Sequence, residues 1–129
     1  MSCWLSDGKG KVYPVNSSGQ LEQQLVEANA SQSTNQIWAL ERDAGDVMYI
    51  GLAGDRAFIN YLPNPDAGGG VVTLDQTIPE DKGTLWFDFA GSGSEISLRN
   101  CLPARLVFKA VVEFYETGEL PKWVHWQQV

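Results

Sequence analysis

His125 is the one histidine in this 129-residue chain, and Cys3 and Cys101 are its only cysteines. A Cys–His nucleophilic pair would need one of those thiols to meet His125 in space, and a lone imidazole supplies no triad. His125 lies between Trp123 and Trp126 in a strand-like segment, where an outward-facing side chain is the simpler reading. With no second histidine, a histidine-based metal cluster is unavailable. The run Ala67-Gly68-Gly69-Gly70 lacks the Lys-Ser/Thr pair of a phosphate cradle. Gly91-Ser92-Gly93-Ser94 lacks the spacing of a nucleophile elbow, so Ser92 and Ser94 read as turn residues. Two carboxylates about 5–10 Å apart can hydrolyse a glycoside. Sixteen acids in a small chain create such pairs by chance, and solvated surface is the simpler reading of them. No set of residues fills the separate roles of an active site. The expectation is therefore no catalytic residue, no metal and no cofactor.

The charge balance says more about partners. Sixteen Asp and Glu against nine Lys and Arg give a net −7, and a phosphate backbone or an anionic membrane would be repelled by it. A basic partner fits. The imbalance is local: residues 41–95 alone carry ten acids and three bases, a net −7, while the flanking segments nearly cancel. No apolar run approaches the roughly 18 residues of a membrane span, and no basic–apolar leader opens the chain, so a cytoplasmic protein with two free thiols is expected.

The elements that must position these residues follow from periodicity. The length suits one domain over 1–129. Ser17-x-x-Gln20 has the form of a capping box, and Leu21, Leu25 and Ala28 follow at helical spacing, which predicts a helix over 18–30. Short apolar runs at 37–40, 47–52 and 57–62, joined by tight turns, predict an antiparallel meander, since parallel strands need long crossovers. The segment 63–70, with two prolines and three glycines, reads as an exposed loop. Further strands are expected at 71–74 and 84–89, separated by the acidic loop 76–83, with a Gly/Ser turn at 90–94. The strongest helix signal covers 99–118: Val107, Ala110, Val111 and Phe114 form an apolar stripe and Gly118 can take a left-handed stop. A last strand is expected at 123–126. This order predicts an α+β fold, an antiparallel sheet with an N-terminal and a C-terminal helix packed on one face. Strand tryptophans are more often core, which is the reading for Trp38 and Trp126; Trp86, beside the acidic loop, stays open between core and binding anchor.

A larger pattern runs through the same residues. Tyr49-Ile50-Gly51-Leu52-Ala53-Gly54-Asp55 makes a hairpin, and Phe89-Ala90-Gly91 precedes the last helix. That helix ends in Glu113-Phe114-Tyr115-Glu116-Thr117-Gly118-Glu119-Leu120-Pro121, and Val124-His125-Trp126 closes the chain's last strand. This arrangement over about 36–127 resembles family one of the immunity proteins of bacterial polymorphic toxin systems. Leu120 departs from the Arg or Lys common at that position. The resemblance implies an antitoxin that binds one cognate toxin domain, encoded by an adjacent gene and often a deaminase or nuclease, and blocks its active site or substrate groove. Phe114, Gly118, Pro121 and Trp126 would be its structural motif. Asp43, Asp46, Asp66, Glu80 and Asp81 are the expected contacts to toxin Lys and Arg, with Tyr61 or Trp86 as apolar anchor, since charge steers while buried aromatics hold. A small acidic adaptor domain unrelated to toxins is the alternative that composition alone does not separate from this one.

Overall fold

The structure, a computed structural model, describes residues 2–129. Among them the elements run β1 (Cys3–Ser6), β2 (Val12–Pro14), α1 (Ser18–Ser31), β3 (Gln36–Arg42), β4 (Val47–Ala53), β5 (Arg56–Leu62), β6 (Val71–Leu74), β7 (Thr84–Phe89), β8 (Ser92–Ser97), β9 (Leu102–Pro103), α2 (Ala104–Thr117) and β10 (His125–Gln128). Neighbouring strands lie in the order β10-β6-β5-β4-β3-β1-β2, every pair antiparallel; β3 to β5 form the expected meander and β6 extends it. The fold is α+β, with both helices on one face of the sheet and the last strand at the C-terminal end.

Local chemistry explains the helix ends. Ser17 accepts the Gln20 amide at 3.1 Å, and the Gln20 side chain reaches one residue past the cap to accept the Asn16 amide at 2.7 Å, a variant of the capping box. The polar run after α1 is a clamp rather than a free loop: Asn29 donates to the Gly54 carbonyl and accepts the Gly54 amide, while Gln32 donates to Leu52. At the end of α2, Gly118 sits at φ +81° and donates to the Phe114 carbonyl at 2.7 Å, a left-handed cap that a side chain would strain. Pro121 follows, and its carbonyl accepts the Trp126 indole N–H at 3.1 Å. The segment from Phe114 to Trp126 is thus one device that stops α2 and pins β10 beneath it. Trp126 and Trp38 pack against the main core as expected, half-buried at its margin.

Four boundaries differ from expectation. The helix expected from 99 begins at Ala104, because Leu102 and Pro103 pair with Ala57 and Arg56 of β5. The last strand starts at His125, two residues later than expected, and its His125 side chain is exposed. β1 and β2 were not expected at all; three or four residues are too short to show a period. The Gly/Ser turn shrinks to Ala90 and Gly91, both at positive φ as a two-residue hairpin turn requires, and Ser92–Ser97 becomes β8.

That hairpin matters most. β7 touches β3 through one parallel pair, Gln36 with Asp88, on a stretch of β3 that β1 leaves unpaired. From there β7 and β8 lie over the face opposite the helices. The main core fills the helical side, with Leu21, Leu25, Ile50, Leu52, Ile59, Val107 and Phe114 among its buried members. A second, smaller core of Ile37, Phe58, Phe87 and Cys101 fills the hairpin side. The Phe58 and Phe87 rings meet edge to face at 4.9 Å. Gly51, opposite Phe58 in the ladder, makes room for it: a Cβ there would lie 2.0 Å from Phe58 Cε2. Gly51→Ala should therefore cost about 1–3 kcal/mol by overpacking, read from the urea midpoint. A midpoint unchanged from wild type would mean that Phe58 can shift freely.

Candidate functional site

The seven residues expected to meet a partner do not form one surface. Asp43 is exposed in the β3–β4 turn, where its carboxylate accepts the Ser2 amide at 3.1 Å. Asp66 is exposed in a single 3-10 turn between β5 and β6. Antiparallel pairing puts both at the same end of the sheet, with the last residues of β10. Glu80 and Asp81 lie beyond the other end of the strands, in the loop leading into β7; Glu80 pairs with Arg99 at 3.3 Å. The seven residues of β5 separate the two groups by roughly 20 Å.

Asp46 and Tyr61 come together, but inside the protein. Asp46 is 5% exposed. Its carboxylate takes the Arg42 Nε–H at 2.9 Å, a second bond from Arg42 Nη2, and the Tyr61 hydroxyl at 2.6 Å. Arg42 also donates to the Gly118 carbonyl at 3.3 Å and stacks 4.5 Å from the Phe114 ring centroid. This cluster ties the β3–β4 turn and β5 to the end of α2. Asp46 and the Tyr61 hydroxyl are thus committed to internal bonds, a correction to their expected place on the surface. Burial alone would raise the Asp46 pKa, but the hydrogen bonds from Arg42 and Tyr61 and the Arg42 charge outweigh it and hold the carboxyl below its usual range. Tyr61 is pushed up to about 12, first by burial and then by its bond to the Asp46 carboxylate.

Trp86 stands apart. It is 60% exposed, the most exposed aromatic among the described residues. Along β7 the side chains alternate, Leu85, Phe87 and Phe89 facing inward and Thr84, Trp86 and Asp88 outward. The indole lies flat across β8 at Gly93, where a Cβ would come within 1.7 Å of Cζ2. Glu95 is its cross-strand partner, and Asp88 faces Gly93. The strand beneath is fixed, since Asn35 donates to the Trp86 carbonyl at 3.0 Å and accepts the Asp88 amide at 2.8 Å. The outer face of the hairpin is therefore a rigid aromatic platform between two carboxylates, with Glu80 and Asp81 in the loop that enters it. Gly93, Asp88 and Glu95 went unrecognised in the residue pattern because β8 itself did. The alternation in 84–89 was the available signal, as it sets Trp86 in phase with Thr84 and Asp88.

The thiols are poor nucleophiles. Cys3 and Cys101 are both free and buried, and loss of solvation raises their pKa values to about 11 and about 12. No helix among the described residues is long and apolar enough to cross a membrane.

A family model, Immunity protein Imm1, matches residues 12–128. The chain belongs to the Imm1 immunity protein family. No curated protein matches it. Membership makes this an immunity protein, whose role is to bind a cognate toxin. The match extends over β2 and α1, N-terminal to the 36–127 span that carries the residue-level resemblance.

Proposed function

We propose that this Imm1 protein acts in the cytoplasm, without catalysis, by seating the outer face of its β7–β8 hairpin on a basic, nucleic-acid-directed toxin such as a deaminase or nuclease. The toxin is encoded by the adjacent gene, and docking covers its active site or substrate groove. The observation that carries this reading is Trp86, 60% exposed on its glycine platform between Asp88 and Glu95. A large aromatic held rigidly in solvent gains little for the fold and much for an interface, where tryptophan supplies a disproportionate share of the energy. The net −7 supplies the steering: a toxin that grips a phosphate backbone is basic, and its approach is accelerated by an acidic partner at low salt. Neither nucleic acid nor membrane is bound directly. Asp43 and Asp66, at the far end, add to the field rather than to this contact.

Trp86→Ala should weaken binding to the toxin domain of the neighbouring gene by about 2 kcal/mol or more, roughly 30-fold. Its melting temperature should fall by no more than a few degrees, because the side chain is mostly in solvent and only its contact with Gly93 is lost. Titration calorimetry and rescue of growth in co-expression both read the loss. A dissociation constant equal to wild type would remove the hairpin from the interface.

A further inference from the structure

The hairpin that carries Trp86 has one edge that no strand covers among the described residues. β8 pairs with β7 alone, so every second residue of Ser92–Ser97 turns its N–H and C=O away from the ladder. Exposed edges are normally blunted by Lys, Pro or a bulge. β2 has such protection, with Lys11 before it and Pro14 within three residues, and β10 is only four residues long. β8 is six residues, Ser-Gly-Ser-Glu-Ile-Ser, with no proline and no cation. Under it, between the hairpin and the sheet, opens a cleft of about 230 Å³ lined by Tyr49, Phe58, Phe89, Ile96, Asn60 and Ser94. Small-molecule sites are larger, about 300–1,000 Å³. This cleft suits one or two side chains.

We infer that the toxin contributes an extended segment that adds to β8 as a third strand of the hairpin, its inward side chains entering this cleft. The inference rests on the reading that the hairpin meets the toxin. Strand addition explains both features together, since the main chain supplies bonds along the edge and alternate side chains find pockets on one face. The inward residues of the segment are apolar or aromatic, matching Tyr49, Phe58, Phe89 and Ile96. Its outward residues fall beside Glu95, on the face that also carries Asp88 and Trp86, and charge complementarity makes them Lys or Arg.

Hydrogen exchange on the wild-type chain, free and bound to the purified toxin domain of the adjacent gene, tests this without any variant. Alternate amides of 92–97, those turned away from β7, should exchange quickly in the free chain and slow in the complex. Ser94→Phe, which fills the cleft but leaves Trp86 untouched, should weaken binding roughly 30-fold, comparable to loss of a hot spot. A complex in which those amides exchange as in the free chain overturns the strand. If Trp86→Ala still loses affinity in that complex, the docking face survives and only the edge and cleft are wrong. If Trp86→Ala binds normally as well, both readings fall. Protection of 92–97 already present in a free chain that sediments as a dimer would make a second copy the occupant, and also overturns the inference.

Discussion

Alanine at Phe114 should cost about 3–5 kcal/mol, a large fraction of the roughly 5–15 kcal/mol that holds a domain together. The ring is 2% exposed and closes the main core at the last turn of α2. It has a second task, because Arg42 lies over one face at 4.5 Å and the Tyr61 ring meets it at 5.3 Å. Removing it leaves a cavity and also the floor of the Arg42–Asp46–Tyr61 cluster. The melting temperature should fall by roughly 10–20 °C, with an unchanged urea m-value. A loss below about 1 kcal/mol would show that neighbouring side chains collapse into the space.

Asp46→Ala should cost a similar amount, about 3–5 kcal/mol, for a different reason. The substitution strands the Arg42 guanidinium, whose side chain is only 13% exposed, without its counter-ion. It also leaves the Tyr61 hydroxyl without its acceptor. Replacing both partners, as in Arg42→Met with Asp46→Leu, should recover much of the loss, because the larger cost lies in the unpaired charge. The same cluster shapes the pH dependence. A carboxyl whose folded pKa is lowered adds stability above its unfolded value, about 3.9, and loses it as pH falls through the folded pKa. Wild-type stability should therefore drop on the acid side below about pH 4, and Asp46→Asn should flatten part of that limb. Asp75 accounts for another part: burial would raise its pKa, but bonds from Thr77 and Arg56 bring it down. At the alkaline end the sign reverses. Tyr61, raised to about 12, contributes below its unfolded value of about 10 and loses that contribution as pH climbs through 12. Denaturant titrations of wild type and Asp46→Asn across the acid range check the first limb; parallel curves would mean that Asp46 is not the titrating group.

Much of this architecture was legible before any coordinates. The stripe Val107, Ala110, Val111 and Phe114 reads directly as one helix face, and all four are buried. The meander followed from short apolar runs and tight turns, and Ser17 and Gly118 marked true helix ends. The start of α2 did not, because Leu102 and Pro103 are held by Ala57 and Arg56 of β5, far earlier in the chain, and local propensity carries no trace of that pairing. β8 escaped for a related reason. Ser-Gly-Ser-Glu is turn-like in isolation and becomes a strand because β7 offers it a ladder.

The acidic residues show where sequence stops. Their number and their concentration in 41–95 set the field of the molecule, and with it the sign of charge a partner must carry. Composition suffices for that, because long-range potential depends on how many charges there are more than on what each one touches. Which acid is offered to a partner is a matter of a few ångströms between distant segments. Asp43 and Asp46 are three residues apart, yet one is in solvent and the other is buried against Arg42 and Tyr61. Trp86 was one of four strand tryptophans until the hairpin folded over the sheet and turned its alternate face outward. Periodicity told which side chains share a face; only the packing of β7 and β8 on β3 to β5 decided which face meets water.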